Sequence, residues 1–222
     1  MTLGILHVTN FRGRFAALAL VAVASTSLAG CGANTIPTKE ELAKQKWADV
    51  QTAYQRRADL IPNLVATVKG YAAQEKSVLV EVAEARAKAT SVTVDPSAVS
   101  DPAKFKQFEQ AQGGLSQTLG RLLVVQERYP ELKSDRNFMA LQSQLEGTEN
   151  RITIARRDYN EAAASYNLEL HTFPGVLWAS TVYKAEKPME LFSATAAAQS
   201  APTVSFDAAP AAAPGSAPPA KP

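Results

Sequence analysis

The sequence predicts an all-α fold: an elongated antiparallel bundle of long helices, the first kinked or broken near Pro62, with a short C-terminal helix. Three observations carry this expectation. Apolar residues recur at steps of three and four through most of the chain after residue 38, the spacing of one helix face. The interruptions fall at proline and at runs of small polar residues, which end helices. The last apolar stripe, beginning at Phe138, repeats every seven residues without a break, as the seams of left-handed antiparallel bundles do.

The elements follow in order. Arg12 and Arg14 precede an apolar run at residues 15–24, and small residues follow it. A basic start, a short apolar stretch and a small-residue cleavage site make a secretory signal. The run is well short of the ~20 residues of a membrane span. Leu28-Ala29-Gly30-Cys31 resembles the lipobox of bacterial lipoproteins. That resemblance implies removal of residues 1–30, a diacylglyceryl thioether on Cys31, and enough acyl chain for stable membrane anchoring. Gly32, rather than Asp, follows the cysteine, which by analogy with envelope sorting favours the outer membrane over the inner one.

Residues 31–37 read as a tether, residues 38–192 as one helical domain with its own core, and residues 193–222 as a disordered tail. Thr38-Lys39-Glu40-Glu41 has the form of a capping box. The stripe Trp47, Val50, Tyr54, Ile61, Leu64, Val68, Tyr71, Val78, Val82, Ala85 and Ala89 predicts helix over residues 38–90. Arg57 and Glu75 fill its two gaps. Pro62 lacks an amide donor and disfavours helix at Ile61, so a kink or break is expected there. Residues 91–100 are a loop. Asp101 and Pro102 restart a helix as N-cap and first residue, with Phe105, Phe108, Gln112, Leu115, Leu119, Leu122, Gln126 and Tyr129 on one face. Gly113, Gly114 and Gly120 weaken this helix and suggest close helix approach. Tyr129-Pro130 ends it.

The final long helix is expected to start near Ser134 or Asp135 and to end near His171. Its seam is Phe138, Leu141, Leu145, Thr148, Ile152, Ala155, Tyr159, Ala162 and Tyr166. Phe173-Pro174-Gly175 breaks it, and residues 176–183 suit a short apolar helix. From Ala194 onward, 18 of 29 residues are Ala or Pro, too little apolar surface to offset the entropy of ordering.

Composition narrows the function. The chain has 23 Lys and Arg against 21 Asp and Glu. Loss of residues 1–30 removes Arg12 and Arg14 and brings the net charge to zero. No basic patch dominates, so nucleic acid is a poor partner. Cys31 is the only cysteine, which leaves no disulfide or thiolate metal site in the folded part. With His7 removed, His171 alone remains, so neither a multi-histidine zinc site nor a serine–histidine–carboxylate set is expected. No catalytic residue, metal or cofactor is assigned, and the chain is read as a non-enzyme.

The blocks Arg56-Arg57-Ala58-Asp59-Leu60-Ile61-Pro62-Asn63-Leu64-Val65, Thr67-Val68-Lys69-Gly70-Tyr71 and Glu84-Ala85-Arg86-Ala87 resemble those of the LemA family. Leu119-Gly120-Arg121-Leu122, Glu127, Tyr129-Pro130, Thr148-Glu149-Asn150-Arg151-Ile152, Ala155-Arg156, Tyr159-Asn160, Tyr166-Asn167 and Phe173-Pro174 continue the resemblance in order. It covers roughly residues 40–192. It implies a membrane-anchored, extracytoplasmic all-α bundle whose biochemical activity is not established. Gln74 stands where the family often has His.

Two sets of residues are singled out. Arg56, Arg57, Asp59, Pro62, Asn63, Lys69 and Tyr71 form an interaction or register motif. As a docking surface they would present donors and acceptors near a kink; as architecture, Arg57 would pair across the bundle. The architectural reading is preferred. Glu149, Asn150, Arg156, Tyr159, Asn160, Tyr166 and Asn167 form a polar seam, with the tyrosine hydroxyls bonding across the bundle and the asparagines reaching loops or the first helix. Val176, Leu177, Trp178 and Tyr183 are expected to close the bundle end rather than touch a membrane interface. The resulting expectation is an envelope scaffold, lipid-anchored and facing the periplasm, with an envelope protein as partner. The alternative is a bundle that binds a small molecule or lipid in an apolar pocket.

Overall fold

The computed structural model describes residues 32–96 and 99–193. The expected signal segment, Cys31 and the Ala/Pro-rich tail from Ala194 lie outside the described residues. Six α-helices and no strand occur among the described residues: α1 (Thr35–Tyr71), α2 (Lys76–Ser91), α3 (Pro102–Val125), α4 (Pro130–Lys133), α5 (Arg136–His171) and α6 (Gly175–Thr181), with a 3-10 turn at Gln126–Arg128 before α4. None of them is long and apolar enough to cross a membrane.

α1 and α5, at 37 and 36 residues, are each about 55 Å long at ~1.5 Å per residue. They run antiparallel along their whole length. Lys39 pairs with Glu169, Arg57 with Glu149, and Tyr71 bonds Asp135, so numbering rises on one helix as it falls on the other. α2 and α3 form a second antiparallel pair, tied by Arg121 to Glu81 and by Gln112 to the Ala89 carbonyl.

Two expectations about α1 are corrected. The helix begins at Thr35, and the Thr38 hydroxyl donates to the Asn34 carbonyl at 2.7 Å, so Thr38 is a helix-interior residue and no capping box forms. Of the kink or break expected at Pro62, the break does not occur: the chain stays helical through it and reverses ten residues later, between Tyr71 and Lys76. Tyr71 is therefore 44% exposed instead of on the seam. Asp101 caps α3 through the amides of Ala103 and Lys104, and Asp135 caps α5 through that of Phe138, both as their sequences imply. Gly113, Gly114 and Gly120 have open space where a Cβ would stand, so they mark no close helix approach.

The apolar interior falls into two clusters. One gathers Trp47, Tyr54, Phe105, Phe108, Tyr159, Tyr166 and Phe192 from the first half of α1, the start of α3, the last half of α5 and the segment after α6. The other gathers Ile61, Leu64, Val68, Leu79, Val82, Leu115, Leu122, Leu132, Phe138 and Leu145.

Candidate functional site

Between the two clusters lies a polar layer centred on Arg57. Its guanidinium is 1% exposed. One terminal nitrogen donates to Ser116 Oγ at 2.8 Å and Glu149 Oε1 at 3.0 Å. The other donates to the side chain and the carbonyl of Gln112. The charge also lies 5.0 Å from the Tyr54 ring centre, an attractive placement. Nε has no partner among the described residues. A charge taken out of water needs nearly every donor satisfied. This one therefore holds α1, α3 and α5 in a single register, because sliding any helix by a turn would strand it.

Pro62 is explained by the neighbouring helix. Its missing amide would have bonded the Ala58 carbonyl, four residues back. Arg86 Nε of α2 donates to that carbonyl at 2.8 Å. The helix stays continuous because a side chain supplies the bond that proline cannot. Two blocks of the sequence, 28 residues apart at this contact, are thus joined by one hydrogen bond.

Outside this layer, Arg56 and Asp59 line an open cleft of about 520 Å³ between α1, the end of α2 and α3. Tyr54, Ala58, Ala89, Phe108 and Leu115 supply apolar wall, and Gln51, Gln55 and Gln112 supply amides. The cleft does not depend on the glycines of α3. Pro62, Asn63 and Lys69 are exposed on α1, and the Tyr71 hydroxyl donates to Asp135 at 3.0 Å. Asp135 is lowered below the usual carboxylate range, chiefly by the Phe138 amide and then by Tyr71.

The seam of α5 does something its periodicity does not reveal. Asn160 donates to the Phe192 carbonyl at 2.8 Å and accepts from the Phe192 amide at 2.9 Å. Asn167 does the same to Met189, at 2.8 Å in both directions. The Tyr159 hydroxyl donates to the Glu190 carbonyl at 2.8 Å, and that of Tyr166 to Glu186 at 3.2 Å. Seven helical residues rise about 10.5 Å, and three extended residues span about 10 Å. The two carboxamides therefore meet every third residue of an extended strap, residues 186–192. Burial first, and the carboxylate charge of Glu186 at Tyr166, push both phenols well above the ordinary tyrosine range; at Tyr159 the second cause is Glu190. Arg156 stacks on the Phe192 ring at 4.4 Å and pairs with Glu109. Glu149 faces Arg57, and Asn150 lies exposed beyond it.

The LemA family profile covers residues 46–206. The chain belongs to the LemA family. Among curated relatives, this LemA-family chain is 29% identical over 157 residues to Magnetosome protein MamQ 2 of Paramagnetospirillum magneticum, covering 64% of the chain and 58% of that protein. It is 28% identical over 173 residues to Magnetosome protein MamQ of Magnetospirillum gryphiswaldense, covering 71% and 63%. It is 26% identical over 125 residues to Protein LemA of Metamycoplasma hominis, covering 56% and 52%. The chain thus spans less than two thirds of each of these relatives. Within the LemA-family bundle, Arg86, Gln112 and Ser116 are the site residues that sequence reasoning missed. Gln112 interrupting an apolar stripe was the available signal; Arg86 stood in the block Glu84-Ala85-Arg86-Ala87, with nothing in the sequence to name the Ala58 carbonyl as its partner. No group of three His, Cys, Asp or Glu gathers as for a metal among the described residues.

Proposed function

We propose that this LemA-family chain is a lipid-anchored interaction module of the bacterial envelope, facing the periplasm and working through its surface rather than through catalysis. One observation carries the reading: the signature segment is divided by face. Its inward residue, Arg57, is consumed by the bundle, while Arg56, Asp59 and Asn63 stand outside it, the first two at the mouth of a cleft. A charged, half-apolar edge held on a rigid helix suits a protein partner. The test pairs two measurements. Membrane fractionation with intact mass compares wild type with Cys31→Ala: added acyl mass and membrane retention in wild type alone support the anchor, and retention of both without acyl mass overturns it. Cross-linking in intact envelopes then compares wild type with the double variant R56A/D59A. Loss of a specific adduct, with the helical signal unchanged, supports the docking edge, whereas identical adducts overturn it.

The same cleft favours a second reading, a small-molecule or lipid site, because its volume and mixed lining suit a modest amphipathic ligand. Saturable binding of an aromatic fluorescent probe that Q55W abolishes would support it; binding unchanged by Q55W would remove it.

A further inference from the structure

Gly32 directly follows the expected acylation site and is buried. A Cβ built there would lie 3.0 Å from Pro174 Cγ and 3.5 Å from Trp178 Nε1. The Tyr183 hydroxyl donates to the Ala33 carbonyl at 3.1 Å. The start of the described chain is therefore pinned to the α6 segment, and α1 begins at Thr35. Adjacent Cα atoms are about 3.8 Å apart, so lipid on Cys31 would leave the protein beside α6 with almost no slack.

The α6 segment has two sides. Trp178, Ala179 and Tyr183 pack against the aromatic cluster. Phe173 is 79% exposed, Leu177 54% and Val176 39%. The expectation that this segment closes the bundle thus describes one side of it. Single exposed apolar residues are ordinary; three within five positions, at the attachment point of a lipid, call for an occupant.

We infer that Phe173, Val176 and Leu177 form a membrane seat that dips into the lipid headgroup region around the acyl chains. The occupant is a bilayer surface because chain continuity brings one there: acyl chains one residue from Gly32 hold the bilayer against this end of α5 and α6. Apolar residues on a short helix bind in this way where a second membrane signal accompanies them. The inference rests on the lipid-anchor reading. It goes further in fixing which end of the bundle meets the membrane.

The test uses the full mature lipoprotein, reconstituted in phosphatidylcholine vesicles with and without brominated acyl chains. Two variants carry reporters at exposed sites, L177W in the seat and V124W at the end of α3. In acylated protein the L177W indole is expected to emit at shorter wavelength and to lose most of its added fluorescence to brominated lipid. The V124W indole stays unquenched. Equal behaviour of the two reporters, with acyl mass present, overturns the seat while sparing the anchor, and would leave that face to a protein partner. Absence of acyl mass overturns both.

Discussion

The two halves of the bundle solve the same problem with different side chains. Around Trp47 the interior is built from rings: Phe105, Phe108, Tyr159 and Phe192 all lie within 6 Å of the indole. Around Leu122 it is mostly Leu, Ile and Val. Buried Trp and Tyr carry polar tips that need partners. Helical backbone has few acceptors to spare, but extended backbone has many. The ring-rich half accordingly recruits every extended segment of the described fold. Trp47 and Gln51 both donate to the Val94 carbonyl in the loop after α2, and Tyr159 bonds the strap, which is itself tied to the loop through Glu190 and Val99. The aliphatic half has one such ring at its edge, Tyr129, whose hydroxyl donates to the Glu75 side chain at 3.1 Å, and it is otherwise made of helix and tight turns.

The largest way to break this contrast is W47A. It empties the centre of four ring contacts and removes one of the two donors to the Val94 carbonyl, so a loss of about 4 kcal/mol is expected, against about 3 for L122A. Chemical denaturation of both variants checks this. W47A alone should also release the strap, read as faster amide exchange at Met189 and Phe192.

Alkaline pH is the next lever, because the two most strongly raised phenols, Tyr159 and Tyr166, both lie in the ring-rich half. Tyr159 and Tyr166 bind their protons more tightly folded than unfolded. Their contribution is fully present below the unfolded value near pH 10 and is lost as pH rises beyond it, at about 1.4 kcal/mol per pH unit for each phenol. Melting temperature should fall steeply above that pH, and Y159F should flatten the fall despite losing one hydrogen bond. An unchanged slope in Y159F would sink this account.

A smaller effect separates strap from core. N160A removes two hydrogen bonds to one residue, an expected cost of about 1–2 kcal/mol, with exchange rising at Phe192 and no change around Leu122. Smallest is the link across Pro62. R86M should cost about 1 kcal/mol in the native chain and almost nothing in P62A, where the amide of residue 62 reclaims the Ala58 carbonyl. Equal costs in both backgrounds would show that Arg86 acts elsewhere.

Much of this was legible beforehand. The seven-residue stripe put Phe138, Leu145, Ile152, Tyr159 and Tyr166 in the interior, where all are buried, and Asp101 and Asp135 announced their helices. The reversal after Tyr71 was hidden because Ala72, Ala73 and Gln74 carry no turn signal, while the conspicuous Pro62 is neutralised by a residue on another helix. The strap was hidden for a different reason. Backbone groups accept and donate whatever their side chains are, so no pattern at residues 186–192 names Asn160 and Asn167 as its partners. Arg57 stood out as a charge on an apolar stripe, but its partners come from two helices that only the tertiary fold brings together.

The pairing of two asparagines with an extended chain also sets a rule about insertions and deletions. Removing one residue between Asn160 and Asn167 would swing the second carboxamide about 100° around α5, away from Met189. Adding one between Met189 and Phe192 would shift the strap by about 3.3 Å and turn alternate side chains outward. Both stretches can exchange residues freely at their exposed positions, yet neither can change length without the other, so drift in this part of the sequence is confined to substitution.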